Sequence, residues 1–403
     1  MNSNLLVVIG VNKVVFNALR AVLILVVAAL LDACAGQRPS DAMCPAVTGA
    51  SDESFDAALD DAVTARWAEQ PGHTHGRAAV LVLSGGGAWG AYGAGFLKGW
   101  TERARENADQ WPPRPAFDVV TGVSTGAIMA PFALIGSEDD ATLQDAFRGM
   151  RGGDLFINRS PLTFPWWTSL KDPKGLEEQL RDALDDSSVL ELKAAAGQHR
   201  TIWVGAVNFD TGQFTHFNLS ALARDLPIAE ARDQITDHIM AASAVPTFFP
   251  PRFINGCMYM DGGVRENIFV SRLHGAIRTA SSETEPRADI YVIENGAVEI
   301  RKLLAKNTLI DIAVRGFDLA EAQINLNSLR DAYDYAKEHG YRFYWTSADD
   351  VVGELQSSTT KERECKYPNT PSEAFESTFT ACLYDAALRK ARDGRSPWRT
   401  DRP

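Results

Sequence analysis

Ser124 stands between two glycines in Gly122-Val123-Ser124-Thr125-Gly126, a pattern that can carry nucleophilic chemistry. The apolar stretch Phe117-Asp118-Val119-Val120 precedes it, and Ala127-Ile128-Met129-Ala130-Pro131-Phe132 follows. A strand, a sharp turn carrying one serine and then a helix make a nucleophile elbow. Such a turn leaves little room for Cβ atoms beside the serine, and Gly122 and Gly126 supply that room. The turn lifts the Ser124 hydroxyl out of the sheet, and the helix N-terminus behind it favours developing negative charge. The bland reading is a glycine-rich turn without chemistry.

Two further motifs bear on that choice. Ser84-Gly85-Gly86-Gly87-Ala88-Trp89-Gly90 follows the apolar run from Ala78 to Leu83 and precedes a helix through Tyr92, Phe96, Leu97 and Trp100. Gly85, Gly87 and Gly90 match G-x-G-x-x-G, the dinucleotide-binding fingerprint, which expects an acidic residue ending a second strand. Glu106 and Asp109 lie in a polar stretch instead, so the fingerprint is incomplete. The other motif is Asp261-Gly262-Gly263 after Met258-Tyr259-Met260. Asp-Gly is also a common tight-turn pair.

The elements that must hold these motifs follow from patterning. The unbroken apolar run at 78–83 reads as a buried parallel strand, and Thr201–Val207 as another strand. Asp210-Thr211-Gly212 turns the second into Gln213–Phe217, a hairpin. Ile228 to Ala242 reads as a helix, stopped before Val245-Pro246. Asp289–Ile293 and Tyr341–Trp345 are late strands. Between them a long helix carries Ile312, Leu319, Leu326, Leu329 and Tyr333 on one face. Glu373 to Arg392 is a final helix. The aromatic, proline-bearing Pro161–Trp167 reads as a packed loop, with a lid or interfacial anchor as the alternative. These readings predict an α/β fold of three layers, a mainly parallel central sheet with helices on both faces.

The chain has 403 residues and a net charge of −12, which argues against a nucleic-acid partner. Lys13 and Arg20 precede eleven apolar residues, Ala21 to Leu31. That is too short to cross a bilayer core of roughly 30 Å but suits a signal-peptide core. Leu31-Asp32-Ala33-Cys34 resembles the bacterial lipobox, with Asp32 departing from the usual small residue. The apolar Leu5-Leu6-Val7-Val8-Ile9 before Lys13 points to a start downstream of Met1. The expected layout is a lipoprotein-type signal peptide at 1–33, a polar tether at 34–77, a catalytic core at 78–275 and a C-terminal part at 276–403 completing or extending it. A short helix, Phe55 to Trp67, and the linker histidines His73 and His75 fall in the tether. Lipidation of Cys34 predicts a membrane partner and a place in the bacterial cell envelope, on the periplasmic side of the outer membrane. Secretion is the alternative.

With Cys34 lipidated, Cys44, Cys257, Cys365 and Cys382 remain, and export permits disulfides. Four cysteines allow three connectivities, of which Cys365–Cys382 is the most local. No C-x-x-C or H-x-x-x-H spacing suggests a metal, and no cofactor is expected.

Taken together, the ordered glycine loop, G-x-S-x-G and Asp-Gly-Gly resemble the patatin-like phospholipase family. Ala241–Pro246 with Phe249-Pro250-Pro251 is similar to the stretch before that family's aspartate, and Asn267 sits where it often has asparagine. The resemblance covers roughly 79–275. It implies a lipid acyl hydrolase using a Ser-Asp dyad, with a lipid or acyl ester as substrate. Ser124 becomes the nucleophile and Asp261 the proton acceptor; the N–H groups of Gly85, Gly86 and Gly87 form the oxyanion hole. Gly90, Gly122, Gly126, Gly262 and Gly263 complete the motifs. The family's basic residue before the last loop glycine is replaced by Trp89, which is expected to offer apolar surface at the pocket mouth, with packing under the following helix as the alternative. Two rivals stand beside this reading: a weakly catalytic lipid-binding lipoprotein, and a Ser-Asp-His hydrolase using His274.

Overall fold

Every residue of β1 (Ala78–Leu83) is buried, because both faces of the strand are covered. Ala79, Leu81 and Leu83 enter one hydrophobic cluster; Ala78, Val80 and Val82 enter another. The period-two alternation of a strand thus builds two cores, one on each side of the sheet. The structure is a computed structural model that describes residue 44 and residues 77–106, 111–158, 169–270, 288–300, 307–338, 340–353, 365–368, 370–393 and 397–403.

The remaining sheet strands are β2 (Val119–Val123), β3 (Thr201–Asn208), β4 (Phe214–Asn218), β5 (Arg252–Ile254), β6 (Cys257–Asp261), β7 (Ala288–Glu294) and β8 (Arg342–Ser347). They form one eight-stranded sheet in the order β8-β7-β1-β2-β3-β6-β5, with β4 also paired to β3. Strands β8, β7, β1, β2 and β3 are mutually parallel. The others pair antiparallel.

Helices cover both faces. The first core takes side chains from α1 (Gly90–Glu106), α2 (Thr125–Ile135), α3 (Asp186–Gly197), α4 (Leu219–Asp225), α5 (Ile228–Ala242) and α7 (Ser377–Asp393). The second takes Leu329, Ala332 and Ala336 of α6 (Leu309–Glu338), with Ile268, Phe269 and Val270. The protein is therefore an α/β fold with a central, mostly parallel sheet, as its patterning predicts.

Some boundaries differ from the patterning. β2 begins later than Phe117 and runs on to Val123, directly into Ser124. The final helix is split into Pro371–Ala374 and α7. The apolar face expected along α6 is not uniformly buried: Leu329 is fully covered, while Ile312 is 53% exposed and Leu319 38% exposed. Among the side chains described, those of this helix in the second core, Leu329, Ala332 and Ala336, lie in its C-terminal half.

Two disulfides join Cys44 to Cys257 and Cys365 to Cys382. The local pair forms, and its partner bond fastens residue 44 to the start of β6. Among the described residues, one group of potential metal-ligating atoms comes together, Cys44, Asp210 and Cys257, and its two sulfurs are already bonded to each other. No helix among the described residues is long and apolar enough to cross a membrane. The segments expected to form a signal peptide and a short helix at 55–67, together with Cys34, His73, His75, residues 161–167 and His274, lie outside the described residues.

Candidate active site

The register of β3 brings Ser124 and Asp261 together. On one edge of β3, β2 runs parallel and its last residue, Val123, lies opposite Gly205. On the same edge β6 runs antiparallel, and its last residue, Asp261, lies opposite Ala206. β4 occupies the other edge over the same residues. Two strands therefore meet end to end along β3, one delivering Ser124 and the other Asp261.

Ser124 adopts φ 52°, a left-handed conformation rare for residues other than glycine. Such a conformation costs on the order of 1–3 kcal/mol and persists only where neighbours over-determine it. The C-terminal turn of α5 supplies those neighbours. Ser124 N–H donates to the Ala242 carbonyl at 3.1 Å, and Ser243 Oγ donates to the Ser124 carbonyl at 3.0 Å. The same turn holds the aspartate, whose N–H donates to the Ala244 carbonyl at 2.9 Å. Ser243 falls within the Ala241–Pro246 stretch of the resemblance, but its role depends on where α5 ends.

Both side chains are buried. Asp261 Oδ1 accepts from Gly263 N–H at 2.8 Å, while Oδ2 is buried and accepts no hydrogen bond. Burial pushes the Asp261 carboxyl up to about 6, against the opposing influence of the Ser124 hydroxyl and the Gly263 N–H. The serine is thus near enough to act on the carboxyl without completing a well-formed bond to Oδ2. Loose geometry of this kind is usual before substrate closes the site. Among the described residues no imidazole is hydrogen-bonded to Asp261.

The glycine loop lies against the serine. A Cβ on Gly85 would come within 2.9 Å of Ser124 Cβ. Gly87 has φ 55°, and its carbonyl accepts from Thr125 Oγ1 at 2.8 Å, which ties the loop to the elbow helix. The three expected oxyanion donors are not equivalent. Gly85 N–H donates to Asn267 Oδ1 at 2.8 Å and so holds the loop in place. The N–H groups of Gly86 and Gly87 make no such bond among the described residues. Gly86 is half-buried and Gly87 is exposed.

Residues 81–274 match the family model described as patatin-like phospholipase. The chain carries a patatin-like phospholipase domain. The match encloses the glycine loop, Ser124 and Asp261. It supports lipid acyl hydrolase activity in broad terms. The crystal structure of VipD from Legionella pneumophila aligns with 79% of this chain and 67% of its own, at 12% identity and a TM-score of 0.36. No curated protein matches the chain.

Within the patatin-like domain, Trp89 has aromatic packing partners. Its ring packs edge-on against Tyr367 and Phe379, with centroids 5.1 and 5.2 Å away. These partners come from the C-terminal part, so Trp89 fastens the loop to that region. Trp89→Arg should lower the melting temperature, through a loss of about 2 kcal/mol of packing, and depress turnover on charged and neutral esters alike. A stable Trp89→Arg protein with raised preference for anionic phospholipids would restore a role at the pocket mouth.

A second polar layer lies behind the loop and was not legible as a motif. Asn267 Nδ2 donates to Asn325 Oδ1 on α6 at 2.7 Å. Asn295 Nδ2 donates to the Ser84 carbonyl at 2.8 Å, and Asn295 Oδ1 accepts from Gly93 N–H at 3.0 Å. The buried Glu294 ends β7 beside them. In the sequence the layer shows as Asn267, where the resembled family often has asparagine, and as an acid and an asparagine closing an apolar strand.

Proposed function

We propose that this protein hydrolyses fatty acyl esters of lipids, a phospholipase A or esterase activity, through a Ser124–Asp261 dyad. The observation that carries the reading is the end-to-end meeting of β2 and β6 on β3, with unengaged glycine N–H groups alongside. Ser124 Oγ attacks the acyl carbonyl carbon as its proton passes to Asp261. A carboxyl raised to about 6 is a stronger base than an ordinary aspartate and is still ionised at neutral pH. The tetrahedral oxyanion accepts from Gly86 and Gly87 N–H, each preorganised donor being worth about 3 kcal/mol. Collapse breaks the ester bond, and the leaving alcohol takes the proton from Asp261. Water then attacks the acyl-Ser124 ester, giving its proton to Asp261, and the fatty acid departs with Ser124 restored.

The test is a burst of p-nitrophenol from an ester, equal in amount to the enzyme, with a matching acyl mass on the intact protein. Comparing membrane lipids exposed to wild type and to Ser124→Ala by mass spectrometry would identify the lipid. No burst and no lipid difference would reject the reading.

We further propose that the mature protein begins at a lipidated Cys34 in the bacterial envelope. The lipobox-like Leu31-Asp32-Ala33-Cys34 motivates this, and two disulfides fit an oxidising compartment. Cys34→Ser should release the protein from membranes or block processing. An intact mass with an unmodified N-terminus would reject the anchor.

A further inference from the structure

Ser84 directly follows β1 and is fully buried, one residue before Gly85. Its hydroxyl sits among three groups. Asn295 N–H donates to Ser84 Oγ at 2.7 Å. The hydroxyl faces two acceptors, Glu294 Oε1 at 2.8 Å and the Gly85 carbonyl at 2.9 Å. A hydroxyl has one hydrogen, so it serves one of these acceptors at a time. Glu294 Oε1 also accepts from Gly296 N–H at 2.9 Å, and Oε2 is buried with no partner.

The Gly85 carbonyl matters because it belongs to the same planar peptide as the Gly86 N–H. A donor on that oxygen fixes the direction of the N–H at the other end and polarises it. We propose that Ser84 and Glu294 are positioning residues that set the Gly85–Gly86 peptide, so that the Gly86 N–H is aimed at the oxyanion. The proposal rests on the hydrolase reading above.

The protonation state of Glu294 decides which acceptor wins. A carboxylate forms a charge-assisted bond about twice as strong as a neutral one, and draws the Ser84 hydrogen to itself. A neutral carboxylic acid competes less and leaves that hydrogen to the Gly85 carbonyl. The neutral acid is therefore the active form. Burial pushes Glu294 up to about 8, against the Ser84 and Gly296 hydrogen bonds. The charged groups acting on it are both carboxylates and both raise it further: Asp349, just after β8, and Glu321 on α6. Asp349 Oδ2 accepts from the Val298 and Glu299 N–H groups. The groups contacting Glu294 from β1 and from the turn after β7 are a hydroxyl and a peptide N–H.

The test is the pH–rate profile on p-nitrophenyl butyrate from pH 5 to 10. In wild type, kcat should fall around a midpoint near pH 8 to a plateau about tenfold lower, less than the full loss of one oxyanion donor. Glu294→Gln presents a neutral carbonyl at every pH, so its alkaline fall should vanish while the acid limb set by Asp261 stays. Ser84→Ala should lower kcat about tenfold at pH 7 with KM unchanged, and should also lack the alkaline fall. Melting temperatures and the rate at which a fluorophosphonate labels Ser124 at pH 7 and pH 9 separate positioning from folding. Wild type should label more slowly at pH 9, Glu294→Gln equally at both. An unchanged alkaline fall in Glu294→Gln, or none in wild type, overturns this inference and leaves the hydrolase reading standing. A wild type that neither turns over ester nor reacts at Ser124 overturns both.

Discussion

Ser124→Ala should abolish ester turnover, and Asp261→Asn should come close to it, while both proteins stay folded. Loss of a serine nucleophile costs on the order of 10⁶-fold in kcat where serine, base and oxyanion donors act as one unit. Loss of the general base costs about 10²–10⁴-fold. In wild type, kcat/KM should rise with pH through a midpoint near 6, because only the ionised Asp261 accepts the serine proton. The stability effect has the opposite sign. The folded-state pKa is raised, so Asp261 contributes stability that is present below its unfolded pKa and lost as pH rises through about 6. At neutral pH, Asp261→Asn removes a buried charge, keeps an acceptor for Gly263 N–H, and should melt no lower than wild type. Turnover and thermal unfolding on the same preparations check both statements. Near-wild-type turnover in Asp261→Asn, with activity lost in His274→Ala, would move the assignment to a triad.

Gly126→Ala should be the most damaging single methyl group near the site. A Cβ there would lie 2.1 Å from the Leu83 carbonyl oxygen, 2.6 Å from its carbon and 2.8 Å from the Ser84 carbonyl oxygen. All three are main-chain atoms, so no side chain can rotate away. Leu83 is pinned on both edges, opposite Gly122 of β2 and Ile293 of β7. Relief has to come from α2 lifting off β1, which drags Ser124 with it. Overpacking of this kind costs on the order of 3 kcal/mol. A shift of about 1 Å in a reacting group costs about 10²-fold in rate. Gly197→Ala is the control, since an added Cβ there meets nothing within 4 Å. Melting temperature and kcat of the two variants should separate clearly. A Gly126→Ala protein with wild-type values in both would mean that α2 does not sit this close to β1.

The local elements were legible because their signals are local. Six consecutive apolar residues make β1 a buried strand, and Ile228–Ala242 matches its expected helix residue for residue. The elbow, the glycine loop and Asp-Gly-Gly declare themselves through glycines that a tight turn or a close backbone approach requires. Of the three connectivities open to the four remaining cysteines, the one that contains the most local pair forms, with Cys44–Cys257 as its second bond.

What lay beyond the sequence was every relation between distant segments. Ser124 and Asp261 are adjacent because two strands of opposite direction share one edge of β3, and register is a property of pairing rather than of either strand. Gly85 was expected among the oxyanion donors, yet the Asn267 carbonyl reaches its N–H from beyond the aspartate motif. Trp89 packs on Tyr367 and Phe379, which stand beside it in space though far along the chain. Ile312 and Leu319 have helical spacing but remain exposed. Residue types and spacing determined which groups could react. Packing decided which of them meet, which N–H groups stay unengaged, and which carboxyls are buried enough to hold a proton near neutral pH.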